Sequence, residues 1–400
     1  MRRLLLAFVL VAGTVNRTDA LDQGGSVETW VDAYHAGEPE FQGWFRATYN
    51  LDVQPRPWFF FKFAAILELD TNGDFERERL YDDPDRALKC APLRFRDLAL
   101  GFRAGETTIV IGRQRLTFKR TTFVNATDNL TPRDWTDPLD EARLSPWAVD
   151  AAWEHERWSV EGALVPRYAP SRLPQLNGRW FETPSVPVEL SWGEADFPPV
   201  TWDTLQGAVF AGYRGSRGEV RVSYFHGFDD APRITANLTT LDRTFVPLDV
   251  AGLDGEVLVG PVVLRGEGGY FHFPGGADNG YGLYQVEVEW SRASWRVIAG
   301  YGGAVGGEPS SSDPASLDQA FLPSVFLAVE KGEATEWQIG LDATIGFREH
   351  DSWVHLFGSY PFMGHARVGG ELDLISGNLG TFWGRWRDND RLRVFLSFDF

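Results

Sequence analysis

The stretch RLRVFLSFDF, Arg391 to Phe400, decides the fold. In an extended chain successive side chains point to opposite faces, so Leu392, Val394, Leu396, Phe398 and Phe400 share one face while Arg391, Arg393, Ser397 and Asp399 share the other. Only Phe395 breaks the alternation. A strand apolar along one whole face and charged along the other suits a wall between lipid and water, as in a membrane-spanning barrel.

The same two-faced pattern recurs along the chain. Phe41, Phe45, Ala47, Tyr49, Leu51 and Val53 lie opposite Gln42, Arg46, Thr48, Asn50 and Asp52, and Phe59, Phe61, Phe63, Leu67 and Leu69 follow after QPRP. Trp147, Val149, Ala151 and Trp153 oppose Asp150 and Glu154; Trp337 to Ile345 and Ala366 to Leu374 repeat the pattern. Further strands start near Gln206, Glu219, Leu248, Val262, Tyr281 and Trp295. Short turns at 54–57, 104–106, 215–218, 260–261 and 291–294 alternate with long connections at 71–91, 120–145, 169–203, 229–246 and 303–319. That alternation predicts an all-β transmembrane antiparallel barrel of about 18 strands, with 16 the nearest rival, short periplasmic turns and long extracellular loops. A first strand at Val27 to Tyr34 and a last loop at Gly377 to Asp390 complete the count. A sandwich also alternates, but its apolar face points to a core, and this chain has too many strands for one.

Composition agrees. The chain carries 42 Gly, 16 Trp, 11 Tyr and 29 Phe against 2 Met, a balance suited to strands with interfacial aromatic girdles. Arg2 and Arg3 precede an apolar stretch from Leu4 to about Val15, too short for a bilayer-spanning helix, so residues 1–20 are expected to be a cleaved signal peptide and 21–400 a single barrel domain. A formal net charge of −18 disfavours nucleic acid as a partner. The one cysteine, Cys90, excludes an internal disulfide.

In a barrel this wide the inward charges decide what passes. The inward positions that mark the expected solute path are Arg46, Lys62, Arg113, Arg115, Glu154, Glu161, Arg221, Arg265, Glu267, Glu287, Arg367, Glu371 and Arg393, nearly balanced in sign. With inward aromatics such as Trp44, Phe60, Phe210 and Phe271, such a lumen suits carbohydrate, whose hydroxyls take charged hydrogen bonds and whose ring faces stack on aromatics. The long segment of the 120s to 140s, punctuated by proline, is a candidate to fold inward and constrict the lumen, and lying on the surface is equally compatible with its composition.

The segment Ile111 to Trp147, with Gly112, Arg113 and Gln114 followed by Asn129 to Asp134, resembles large outer-membrane porins, and the ending Ser376 to Phe400 is similar to the 18-stranded alginate-export-type barrels. Phe398 and Phe400 resemble the terminal signal that bacterial outer-membrane proteins present to the barrel assembly machinery. The resemblance implies a cell-outer-membrane location, contact with outer-membrane lipid, and a channel for polar solute or secreted polysaccharide; polymer export would add periplasmic partners. A general diffusion porin and a closed-barrel adhesin or scaffold are the alternatives. No cofactor, metal or catalytic group is expected: the seven histidines are scattered, and the oxygen-rich runs Asp70, Asn72, Asp74, Glu76 and Asp128, Asp134, Asp137, Asp140 lack the full calcium-loop spacing.

Overall fold

The computed structural model describes residues 21–400 except 38–39, 77, 84, 141, 177, 182–189, 238, 276–279, 307–321, 333–335 and 349; the expected signal peptide lies outside the described residues. The strands are β1 (Leu21–Tyr34), β2 (Phe41–Arg56), β3 (Phe59–Asp70), β4 (Leu93–Ala104), β5 (Thr107–Arg113), β6 (Trp147–His155), β7 (Trp158–Val165) and β8 (Ser191–Asp196). They continue with β9 (Gln206–Arg214), β10 (Gly218–Phe228), β11 (Arg233–Asn237), β12 (Thr240–Thr244), β13 (Pro247–Val259), β14 (Val262–His272) and β15 (Tyr281–Arg292). The last are β16 (Trp295–Val305), β17 (Ser324–Gly332), β18 (Gln338–Gly346), β19 (Ser352–Phe362), β20 (Ala366–Ser376) and β21 (Arg391–Asp399).

Eighteen of these form one sheet of antiparallel neighbours that closes on itself, because β1 pairs with β21 as well as with β2. Closure is completed at the chain end, where Gly25 and Phe400 exchange N–H···O bonds of 3.0 Å in both directions. No strand of the wall is left with an unpaired edge, which is what a sheet needs in a solvent that offers no hydrogen bonds. Two-residue turns fit this wall where a residue can take positive φ, as Gly260 does at 62° between β13 and β14.

The alternation read from sequence places apolar side chains on the outer face. Val394, Leu396 and Phe398 of β21 are each about half exposed, while Arg391, Arg393 and Ser397 are buried on the inner face. Phe395, the residue out of pattern, points inward and covers Gly369 on β20. Exposed aromatics mark two outer belts: Trp153, Trp158, Tyr213 and Trp295 near the short turns, Tyr224, Tyr270 and Tyr301 toward the long loops. That spacing is the signature of a lipid-facing band with polar interfaces on both sides.

Two features differ from the expectation. The first strand starts at Leu21 rather than Val27, extended by pairing of Leu21 to Ser26 with β2. The connections at 169–203 and 229–246 are not plain loops: β8 from the first joins the β11–β12 hairpin of the second in a small three-stranded sheet, with β8 parallel to β12. These strands are too short to carry a readable period.

Because the outer face meets hydrocarbon, Val394→Arg should cost about 2–4 kcal/mol in urea unfolding from lipid vesicles. Gln338→Arg, on the inner face beside the β17–β18 turn, should cost less than about 1 kcal/mol. Equal costs would mean the faces are assigned wrongly.

Candidate solute pathway

The lumen is crossed by its own polypeptide. Residues 114–146, between β5 and β6, turn into the barrel and meet the inner wall at two places. The first is built on Glu267 of β14. Its Oε2 accepts the backbone N–H groups of Arg120 and Thr121 at 2.8 and 3.0 Å, and its Oε1 those of Ala126 and Thr127 at 2.7 and 2.9 Å. The hydroxyls of Thr121 and Thr127 lie 3.1 and 2.9 Å from the same oxygens. One carboxylate thus satisfies four main-chain donors that a segment without secondary structure would otherwise bury unpaired. Neighbours extend the footing: Glu287 takes the N–H of Thr122 at 2.8 Å, Gln285 Oε1 that of Val124 at 2.5 Å, and Arg120 reaches Glu219 and Asp254 at 2.9 and 3.2 Å.

The wall is shaped to receive this segment. A Cβ on Gly269 would stand 2.5 Å from Ala126 O, and one on Gly302 2.9 Å from the Val124 side chain, so backbone and wall touch only because these positions are glycine. Ring stacking closes the flanks, Phe118 on Phe210 at 4.2 Å and Phe123 on Phe326 at 4.8 Å.

From there the chain crosses to the opposite side. Asp137 accepts a 2.6 Å bond from Arg391 and lies 3.6 Å from Arg393, while Asp140 stands 3.9 Å from Arg393 and 4.0 Å from Arg46. Arg391 and Arg393 are in turn held by Asp373 at 2.8 Å and by Asp32, which takes both guanidinium nitrogens at 2.7 and 3.0 Å. Midway, Arg172 bonds Asp134 at 2.5 Å, and Arg143 lies 3.4 Å from Asp128. The four aspartates read as an oxygen-rich run are therefore each matched to an arginine, and among the described residues no group of three His, Cys, Asp or Glu is placed to hold a metal.

Residues 71–92 also fold in, and their contacts change the setting of several expected path residues. Arg113 is buried, bonded to Asp85 and to the carbonyl of Asp83, so it anchors this loop instead of facing open water. Arg221, Arg265, Glu267 and Glu287 point inward but lie beneath or beside residues 118–127; Arg221 donates to Phe118 O at 2.5 Å, and Arg265 stands 3.1 Å from Glu287. Arg46 bonds Glu68 at 2.5 Å. Arg393 is locked in its ion pairs, and Glu371 sits 3.6 Å from it. Lys62, Arg115 and Glu154 are exposed on the inner side, while Glu161 and Arg367 are half-buried there, Arg367 bonding Ser359 at 2.6 Å. The inward aromatics are used in packing: Trp44 stacks on Trp30 at 5.8 Å, and Phe210 and Phe271 are covered. Phe398 and Phe400 face lipid beside the β1–β21 seam.

Toward the long-loop mouth a buried aromatic cluster joins Tyr34, Trp135, Trp180, Trp353, Phe382, Trp383 and Trp386. Between this cluster, the crossing strap and the β17–β19 wall lies a cleft with about 80 Å³ of room, lined by Phe123, Arg133, Arg143, Phe326, Thr344 and Trp353 among others.

No protein-family model matches this chain, and neither does any curated protein sequence. Among solved structures it is similar to OccAB4 of Acinetobacter baumannii, with 10% identity, a TM-score of 0.57, and coverage of 97% of this chain and all of the other. It is also similar to OmpT, an outer membrane protein of Vibrio cholerae (13% identity, TM-score 0.43, 95% and 98% covered), and to a mutant of Rh. blastica porin (10%, 0.43, 95% and 100%). The likeness to OccAB4 is one of fold. With the closed sheet and its lipid-facing belts, it gives the chain the fold of the porin-like outer-membrane β-barrels, with 18 strands.

Two outcomes follow. Glu267→Ala leaves four N–H donors without an acceptor, at about 1–3 kcal/mol each. Residues 118–127 should then detach, and single-channel conductance in planar bilayers should rise severalfold with added noise; an unchanged trace would show that the segment is held by something else. Burial pushes the Cys90 thiol up to about 12, so a maleimide at pH 8 should leave the folded barrel unlabelled and modify it fully in hot detergent.

Proposed function

We propose that this barrel is a passive outer-membrane channel for small polar solutes, of which mono- and short oligosaccharides suit the path best. The observation that carries the reading is the strap tied to both walls across the lumen, with a cleft beside it toward the long-loop mouth. The cleft offers Arg133 and Arg143 beside Trp353, Phe123 and Phe326, a set of charged donors and apolar rings that matches hydroxyls and ring faces. Below it Lys62, Arg115, Glu154 and Glu161 supply charges of both signs, so neither a purely anionic nor a purely cationic cargo is favoured. A secreted polymer would have to displace the strap, breaking buried ion pairs at about 3–5 kcal/mol apiece; small solutes need no such opening and no periplasmic export partner.

Reconstituted in planar bilayers, the protein should show small, resolved conductance steps that millimolar neutral sugar reduces, and deletion of residues 118–127 should enlarge the steps severalfold and abolish the sugar effect. Silence of both proteins would overturn the channel reading. Steps indifferent to sugar in both would overturn the saccharide preference while leaving the channel.

A further inference from the structure

On the outer face of the wall, at the long-loop end of β10, β13 and β14, stands a polar group that neither the lumen nor the assembly of the barrel uses. Asp249 Oδ1 accepts the Tyr224 hydroxyl at 2.8 Å and lies 2.8 Å from His226 Nδ1. His272 is the cross-strand partner of Asp249 on its other side, and both imidazoles are exposed. With His226 Nδ1–H given to Asp249, its Nε2 is turned to the surroundings. One step toward the membrane centre on the same strands begins a shallow trough with about 620 Å³ of room, its outer lining including Val220, Ala251, Leu253, Gly268, Tyr270 and Val286. The trough exists because Ala251, Gly266 and Gly268 leave the wall bare between the larger neighbours.

An apolar trough at the depth of the hydrocarbon, capped at headgroup level by two imidazoles, a carboxylate and a phenol, has the layout of an amphiphile site. We infer that this face binds an outer-leaflet glycolipid, one acyl chain lying in the trough over Gly268 and a phosphorylated sugar head meeting His226, His272 and Asp249. The cap fits that head: phosphate accepts from imidazole N–H, while sugar hydroxyls and amides donate to the second carboxylate oxygen of Asp249. The cap's place beyond the Tyr224 and Tyr270 belt, on the long-loop side, puts it in the outer leaflet. The inference stands apart from the channel reading and would survive a barrel that does not conduct.

The test uses the refolded full barrel, exchanged into detergent with either lipid A, an acylated and phosphorylated glucosamine disaccharide, or phosphatidylglycerol, and weighed by native mass spectrometry. Wild type should retain one lipid A per barrel and no phosphatidylglycerol. His226→Ala with His272→Ala should lower that retention at least tenfold, as should Gly268→Leu, whose new side chain fills the trough; a Cβ there meets nothing closer than 3.4 Å, so the wall tolerates it. Heat-modifiable gel migration checks that each variant is folded. Equal retention by all three proteins, preference for phosphatidylglycerol, or no retention would overturn the site. So would disulfide-linked dimers of Ala251→Cys formed without lipid, which would give the trough to a second copy.

Discussion

The segment that crosses this barrel depends first on the Glu267 carboxylate. A sheet of 18 strands encloses more space than its side chains can fill, so the lumen has either water or polypeptide in it. Here it has polypeptide, and a chain segment without ladders of its own must find acceptors for its N–H groups. Glu267 supplies them to Arg120, Thr121, Ala126 and Thr127 at once, from the middle of a wall that stays rigid because it is closed. An ionised acceptor makes these bonds stronger than neutral ones, and burial under the segment removes the competing water.

The second footing gives the strap its direction. Asp137 and Asp140 meet Arg391 and Arg393, which are themselves fixed by Asp373 and Asp32 on the strands that close the barrel. Seam and constriction therefore share residues: the arginines that lie on the inner face of the last strand also hold the far end of the strap. Asp32 and Asp373 are buried with their arginines, so removal of either member strands a charge in a poorly solvated site, while Asp137 and Asp140 are only partly covered. Neighbouring residues 71–92 join through Asp85 and Cys90, and the aromatic cluster of Trp180, Trp383 and Trp386 closes round the mouth.

The wall was legible because a membrane barrel repeats one rule: period two, apolar outward, with turns at both ends. Strands such as β6 and β18 obey it residue by residue, and Phe395 of β21 departs from it for a local reason, covering Gly369. The interior was not legible in the same way. Contacts between Thr121 and Glu267, or Arg391 and Asp137, span more than a hundred residues and obey no period. Reading inward charge as lumen lining thus found the right face for Glu267, Glu287 and Arg113 but not that loops cover them. A signal was present in the inward glycines: Gly252, Gly269 and Gly302 occupy positions where a bare water-facing wall has no need of them, and each marks a close approach of the strap. The strands β8, β11 and β12 were missed because five or six residues with mixed faces resemble any polar loop.

Hydrogen exchange resolved to single amides tests the central claim most directly. In detergent micelles at pH 7 the amides of Thr121, Ala126 and Thr127 should exchange as slowly as those of the wall strands β13–β15, and the Glu267→Gln substitution should speed them by orders of magnitude while leaving the strands protected. If these amides exchange in the native barrel as fast as an exposed loop, the strap is not held by Glu267 and the account of the constriction fails.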